Sequence, residues 1–362
     1  VRQLKLSTQL NKPIFLKKHE GKIMAKIPEP TITIQKLIDE WHESRKETER
    51  YHLGCSEIGE ECERKIWLNF RKAFNSKFKG RILRVFRRGQ NEEDIVISDL
   101  RAIGVDVQNT GRNQKRVHLD CHLSGSIDGI IMEGLPHAPK SKAILEIKTH
   151  SIKSFNEVKE KGVKESKFQH YVQMQLYMSA EKLDRALYFA VCKDNDEIYD
   201  EWVHFDKEVA NTYIERGHRI ALSEHLPQGI STSPTWYQCK MCDFHGFCHE
   251  KQPIERAHCR TCAHVTPKND SNWHCAKWDA TIPKEAQLEG CNYHVLHPEL
   301  VPYELQAAEQ EWHAIYIING KAVLNGNDGF SSKEILANPA HCAEPDDFIK
   351  TLREEMGAKV IG

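Results

Sequence analysis

Excess charge of either sign is missing from this 362-residue sequence: 51 Lys and Arg stand against 52 Asp and Glu, a net −1 at pH 7. A globally basic coat for nucleic acid is thereby excluded. Long apolar runs are missing too. No stretch approaches the ~18 consecutive apolar residues of a membrane-spanning helix. The first residues have no apolar segment ending in a small-residue cleavage site, so no signal peptide is predicted, and the expected location is the cytoplasm. There is no internal repeat and no low-complexity tract. Hydrophobic residues make up 40%, and the 20 glycines raise this to about 45%, which excludes a wholly disordered chain. The length predicts two or three structural units.

Cysteine, by contrast, is abundant. The chain has 12, of which seven (Cys239, Cys242, Cys248, Cys259, Cys262, Cys275 and Cys291) fall within residues 239–291. Without an export signal, such clustering points to metal ligands or buried thiols rather than disulfides. Cys239-x2-Cys242-x5-Cys248 offers three thiolates in a short loop and needs a fourth ligand, for which Cys62 is the best candidate. On spacing alone this set suits zinc or an iron–sulfur cluster. Cys259-x2-Cys262, Cys275 and Cys291 form a second set that suits a tetrahedral structural zinc site, with His274 and His294 as alternative ligands. Cys121, Cys192 and Cys342 have no spacing partners and read as ordinary thiols.

Residues 1–30 carry seven Lys and Arg against two acids and read as a flexible basic arm. Met24 is an alternative natural start. Helical periodicity starts near Ile34, and Ser56 reads as the N-cap of a second helix carrying Cys62, Ile66, Trp67 and Phe70. From Arg64 to Gln90 there are ten Lys and Arg and no acid, with four Phe and one Trp interleaved. That one-sided stripe, including Arg81, Arg84, Arg87 and Arg88, is the footprint of phosphate binding.

The middle of the chain reads as α/β. A helix is predicted over Glu92–Ile103, then extended segments around Arg116–His122, Ser126–Met132 and Ala143–Lys148. A helix over about Ser166–Lys182, strands at Ala186–Cys192 and Tyr199–Phe205 and a helix to about His225 follow. The expected organisation is a basic arm (1–30), an α/β core (31–250), a zinc-ribbon-like module (251–298) and an acidic C-terminal region (299–362), with a hairpin at Asn325-Gly326.

The chemistry concentrates in two short stretches, Gly125-Ser126-Ile127-Asp128-Gly129 and Leu145-Glu146-Ile147-Lys148. In a strand, residues two apart share a face, so Glu146 and Lys148 project together while Leu145 and Ile147 pack behind. Pairing of the two strands brings Asp128 beside Glu146. Converging carboxylates suit Mg²⁺ or Mn²⁺, which can polarise a phosphoryl oxygen. Glu93, read as lying at the start of its helix after Gly89, is a third carboxylate. Gln169, Gln173 and Tyr177 recur at i, i+4 and i+8 on one helix face.

These residues together resemble the RecB-like PD-(D/E)XK nucleases, specifically the iron–sulfur group of CRISPR-associated and AddB type, some of them phage-encoded. The matching positions are Gly89 with Glu93, Gly125 with Asp128-Gly129, Glu146-Ile147-Lys148, and Gln173 with Tyr177, and the likeness spans roughly Ser56–Cys248. It implies a mixed sheet flanked by helices, and a divalent-metal-dependent deoxyribonuclease, an exonuclease acting in recombination, repair or DNA processing. It implies metal binding by Glu93, Asp128, Glu146 and the Ile147 carbonyl. Lys148 would orient or help deprotonate the attacking water, and Gln173 and Tyr177 would position DNA or the catalytic groups. It further implies a 4Fe-4S cluster on Cys62, Cys239, Cys242 and Cys248. Members carry Pro after the first cysteine where this chain has Glu63, and Cys55 is the alternative fourth ligand. The implied partners are DNA and a helicase, recombinase or annealing protein, in a bacterium or a phage-infected cell. A non-catalytic zinc or iron–sulfur DNA-binding protein is the alternative, but it leaves Glu93, Asp128, Glu146 and Lys148 without a role.

Overall fold

A computed structural model describes residues 32–45, 49–75, 78–136, 138–309 and 312–357. The basic arm lies outside the described residues. The chain folds as a mixed α/β protein. Its elements run α1 (Ile34–Ser44), β1 (Leu53–Gly54), α2 (Glu63–Arg71), α3 (Gly80–Ala102), β2 (Asp106–Gln108), β3 (Arg116–His118), β4 (Leu123–Ser126), β5 (Gly129–Glu133) and β6 (Ala143–His150). Next come α4 (Ile152–Ser166), α5 (Phe168–Glu181), β7 (Arg185–Cys192), β8 (Ile198–His204) and α6 (Lys207–Leu222). Among the described residues no helix is long and apolar enough to cross a membrane.

Five strands form the central sheet in the order β2-β5-β6-β7-β8, with β6 and β7 parallel and the other neighbours antiparallel. Alternation along β6 decides what lies on each face. Leu145 and Ile147 point to α3, where they join Val96, Ile97, Leu100, Val107 and Leu187. Ile144 faces the opposite way, into the larger core with Phe155, Leu176 and Tyr188. Both faces are therefore covered, and polar side chains on β6 lie between layers rather than in bulk water.

Three local expectations are corrected. The Ser126–Met132 segment is not one strand: Ser126 ends β4, in a small sheet ordered β1-β4-β3, and Gly129 begins β5 in the central sheet. Ile127 and Asp128 carry the chain from one sheet to the other. The second helix is capped at Cys62, not Ser56. The long helix α3 starts at Gly80, so the last part of the basic stripe, with Arg81, Arg84, Arg87 and Arg88, lies on it and Glu93 sits in its middle rather than at its start. Gly89 lies inside α3 and faces Thr149 of β6.

The described residues of 299–357 carry regular elements. Glu304–Glu309, His313–Ile318 and Lys321–Asn325 form an antiparallel three-stranded sheet. The tight turn falls at Asn319-Gly320, both at positive φ, rather than at Asn325-Gly326. Asn325 is instead fully buried, its Oδ1 accepting from Leu296 N at 2.8 Å.

Candidate active site

The site forms where β5 begins late. β5 pairs with β6 through Gly129 opposite Leu145, so the edge of β6 beyond Leu145 has no strand beside it. Asp128 turns into that gap. Its Oδ2 accepts the Ile147 amide at 2.9 Å, replacing the missing ladder bond. A strand residue presents its N–H and C=O to the same side, so the Ile147 carbonyl faces the same gap, where Lys148 Nζ lies 3.3 Å from it.

Glu146 is completely buried. One of its carboxylate oxygens contacts Lys148 Nζ, while Oε2 has no hydrogen-bond partner. Glu93 reaches the same place from α3, and its Oε2 accepts from Gln114 Nε2 at 3.2 Å. All three acids thus follow one pattern: one oxygen is tied by a protein donor, and among the described residues the other is not. Burial first, and the Asp128 charge second, push Glu93 up to about 7. Glu146 is raised for the same two reasons, against the pull of Lys148. Burial disfavours the Lys148 ammonium, but Glu146, Asp128 and Glu93 outweigh that and raise it overall.

Behind the acids, Gln173 Nε2 donates to the Tyr177 hydroxyl at 3.1 Å, and both side chains are buried. Tyr177 closes on Gly125, where a Cβ would stand 2.6 Å from the hydroxyl, so only glycine fits. Buried in this way, the pair can brace the acids but does not offer a surface to DNA. Gln169 is held elsewhere, on the Ser56 carbonyl. Cys55 is buried beside Gly125 and Tyr177, away from the other cysteines.

Sequence reasoning missed a cluster next to Lys148. His150 Nε2 and His170 Nδ1 meet the Tyr188 hydroxyl at 2.8 and 3.0 Å, and His150 Nδ1 meets Ser154 Oγ at 3.0 Å. Burial, reinforced by nearby lysines, lowers His150 to about 4 and His170 to about 2, so both rings are neutral at pH 7. The signal was present: His150 lies two residues beyond Lys148 on β6, and His170 lies three before Gln173 on α5.

The basic stripe is less free than its sequence implied. Arg84 pairs with Asp39 of α1, and Arg88 donates to the Lys193 carbonyl at 2.6 Å. Arg81 and Arg87 are exposed on α3.

Cys62, Cys239, Cys242 and Cys248 line a single cavity of about 290 Å³, together with Arg64 and Lys65. Cys259, Cys262, Cys275 and Cys291 line another, of about 190 Å³. Among the described residues no three His, Cys, Asp or Glu side chains already stand at metal-holding separation.

Among solved structures the chain is similar to an alkaline exonuclease (LHK-Exo) from Laribacter hongkongensis, at 11% identity and a TM-score of 0.35, covering 51% of this chain and 90% of that one. It is also similar to LHK-Exo in complex with dAMP, at 10% identity and a TM-score of 0.34 over 47% and 85%, and to SSO0001, at 15% identity and a TM-score of 0.37 over 59% and 93%. At these values the likenesses carry no weight in assigning a reaction. No family model matches the sequence, and no curated protein matches it.

Proposed function

We propose that the chain is a divalent-metal-dependent deoxyribonuclease that hydrolyses phosphodiester bonds from DNA ends. The observation that carries the reading is the clustering of Glu93, Asp128 and Glu146 about Lys148: each is fixed by one oxygen, the Asp128 charge raises both glutamates, and Glu146 Oε2 is buried without a partner among the described residues. Leaving a buried carboxylate oxygen unsatisfied is costly, and a hard cation removes that cost. Two oxygens from the β5–β6 edge, one from α3 and the Ile147 carbonyl are the all-oxygen donor set that Mg²⁺ or Mn²⁺ takes. Such an ion, when bound, would polarise the scissile phosphate and lower the pKa of a water.

The remaining work falls to the chain itself. Asp128 and Glu93 are held by Ile147 N–H and Gln114, so the donors are positioned before substrate arrives. Lys148 stays charged between the acids and is partly exposed, so its ammonium can meet a phosphate oxygen or the attacking water. His150 and His170, held neutral, add no second positive charge to compete with it. Tyr177 and Gln173 brace the wall behind Glu146. The exposed Arg81 and Arg87 on α3 supply sequence-independent phosphate contacts.

The first cysteine quartet fits a 4Fe-4S cluster. Four cysteines line one cavity, Cys62 caps α2 without using its side chain, and the cationic Arg64 lines the same wall, which suits a cluster of net negative charge; Lys65 is paired with Glu60 at 2.8 Å. Cys55, buried elsewhere, does not compete for it. The cluster would join the segment before the core to the segment after it.

The test is a time course on end-labelled linear and circular DNA with Mg²⁺, with Mn²⁺ and with chelator. Metal-dependent loss of the linear substrate is expected, with Asp128→Ala and Glu146→Ala reduced at least about 100-fold while still binding DNA. Undiminished turnover by either variant would remove the assignment. Binding without cleavage by the wild-type chain would favour a non-catalytic DNA-binding protein.

A further inference from the structure

The second cysteine quartet and helix α2 are tied together by one arginine. Cys259 and Cys262 flank a single 3₁₀ turn, closed by Cys262 N to Cys259 O at 3.1 Å. Cys275 ends the Trp273–Cys275 strand, the middle of a small antiparallel sheet with Val265–Pro267 and Ala280–Thr281. Cys291 arrives from the loop after Gly290. The histidines that could have replaced a thiol are otherwise engaged. His294 Nδ1 meets Ser332 Oγ at 2.7 Å and its Nε2 meets the His258 carbonyl at 2.9 Å. His274 pairs with Asp279 at 3.3 Å. His264, which also lines the cavity, meets the Trp312 carbonyl at 3.3 Å through Nε2. The four cysteines lining the cavity are a set that suits a closed tetrahedral zinc site.

Between the first two cysteines stands Arg260, only 1% exposed. Its guanidinium donates to the Phe70 carbonyl at 2.9 Å, to the Tyr51 carbonyl at 2.6 Å and to Gln287 Oε1 at 2.6 Å, and lies 4.8 Å from the centre of the Trp273 ring. Phe70 is in the last turn of α2, whose carbonyls have no partner within the helix. In return, Arg71 of α2 donates to the Arg260 carbonyl at 3.1 Å. Among the described residues no carboxylate pairs with either guanidinium in this exchange, so both depend on carbonyl oxygens held in place. At its other end α2 is capped by Cys62. The nine-residue helix therefore runs from one quartet to the other.

We propose that Cys259, Cys262, Cys275 and Cys291 bind a zinc-class divalent ion, and that the ion, by fixing the turn that carries Arg260, locks this module onto the end of α2. The proposal is independent of the nuclease reading. Elemental analysis of the purified full chain should find about one zinc per chain. It should disappear in Cys291→Ser, a change at an exposed position, and iron should be unaffected. Arg260→Met should keep the zinc but melt several degrees lower. Chelating zinc from the wild-type chain should cost a similar amount, while chelation in Arg260→Met should cost much less, because the lock is already broken. Should the serine variant fail to fold, a mercurial titration of the wild-type chain with a metallochromic dye should release the zinc. No zinc, zinc retained in Cys291→Ser, iron in its place, or fully additive effects of chelation and Arg260→Met would each overturn the proposal.

Discussion

Removing one negative charge from the acid cluster should stabilise the metal-free protein, and only at high pH. With all three carboxylates ionised, Glu93, Asp128 and Glu146 face the single ammonium of Lys148, a net charge of −2. Glu93 is pushed from 4.5 up to about 7, by burial first and by Asp128 next, with Asp94 adding to the rise and Lys148 and Gln114 opposing it. The folded chain therefore binds more protons than the unfolded chain between about pH 4.5 and 7, and stability falls as pH rises through that window. At 1.36 kcal/mol per unit, and discounting for the solvent that reaches this half-buried group, the loss is about 2–3 kcal/mol above pH 7. Glu93→Gln removes it. Thermal melts in chelator should show the variant about 3–4 °C above wild type at pH 8 and indistinguishable from it at pH 4.5. Saturating Mg²⁺ should raise the wild type at pH 8 and close the gap, because the ion binds the folded site alone. A wild type equally stable at both pH values in chelator, with no gain from Glu93→Gln, would refute the claim that these acids crowd one point.

Three further outcomes follow from the same geometry. Neutralising Arg81, Arg87 and Arg88 together should weaken DNA binding and flatten its log–log salt slope by about 2–3, since Arg84 is already committed to Asp39; an unchanged slope would make this a solvated face. Gly125→Ala should cost about 1–3 kcal/mol in a denaturant melt, because the new methyl would lie 2.6 Å from the Tyr177 hydroxyl; a neutral result would mean that Tyr177 is free to move. Anaerobically purified protein should be brown with about four irons per chain, and Cys242→Ser should lose both colour and iron; colourless wild-type protein would remove the cluster and leave the acid site untouched.

Chemistry was more legible in the sequence than scaffold. Asp128, Glu146 and Lys148 could be brought together on paper because strand alternation and one antiparallel pairing leave few other arrangements. The grouping of the cysteines was legible from their spacing, and the members of each set line one cavity. His294 and His274, the alternatives in the second set, have hydrogen-bond partners of their own. What failed were boundaries. The helix carrying Glu93 is expected to begin at Glu92, after Gly89, yet a glycine inside a 23-residue helix costs only about 1 kcal/mol, and α3 runs through it from Gly80. Ser126–Met132 looked like one strand because its apolar pattern continues across Ile127, whose burial is satisfied at the crossing between two sheets as well as within either.

That crossing is also what creates the site. A continuous strand through Asp128 would have paired the whole edge of β6, giving the Ile147 amide to a neighbouring backbone and leaving no gap. By leaving one sheet at Ser126 and joining the next at Gly129, the chain exposes a short length of strand edge inside the protein. The Asp128 carboxylate takes the ladder's place there and keeps its second oxygen for other use. Pattern reasoning could not see this, because it assigns each residue to the element that best fits its neighbours. Asp128 is useful for belonging to neither.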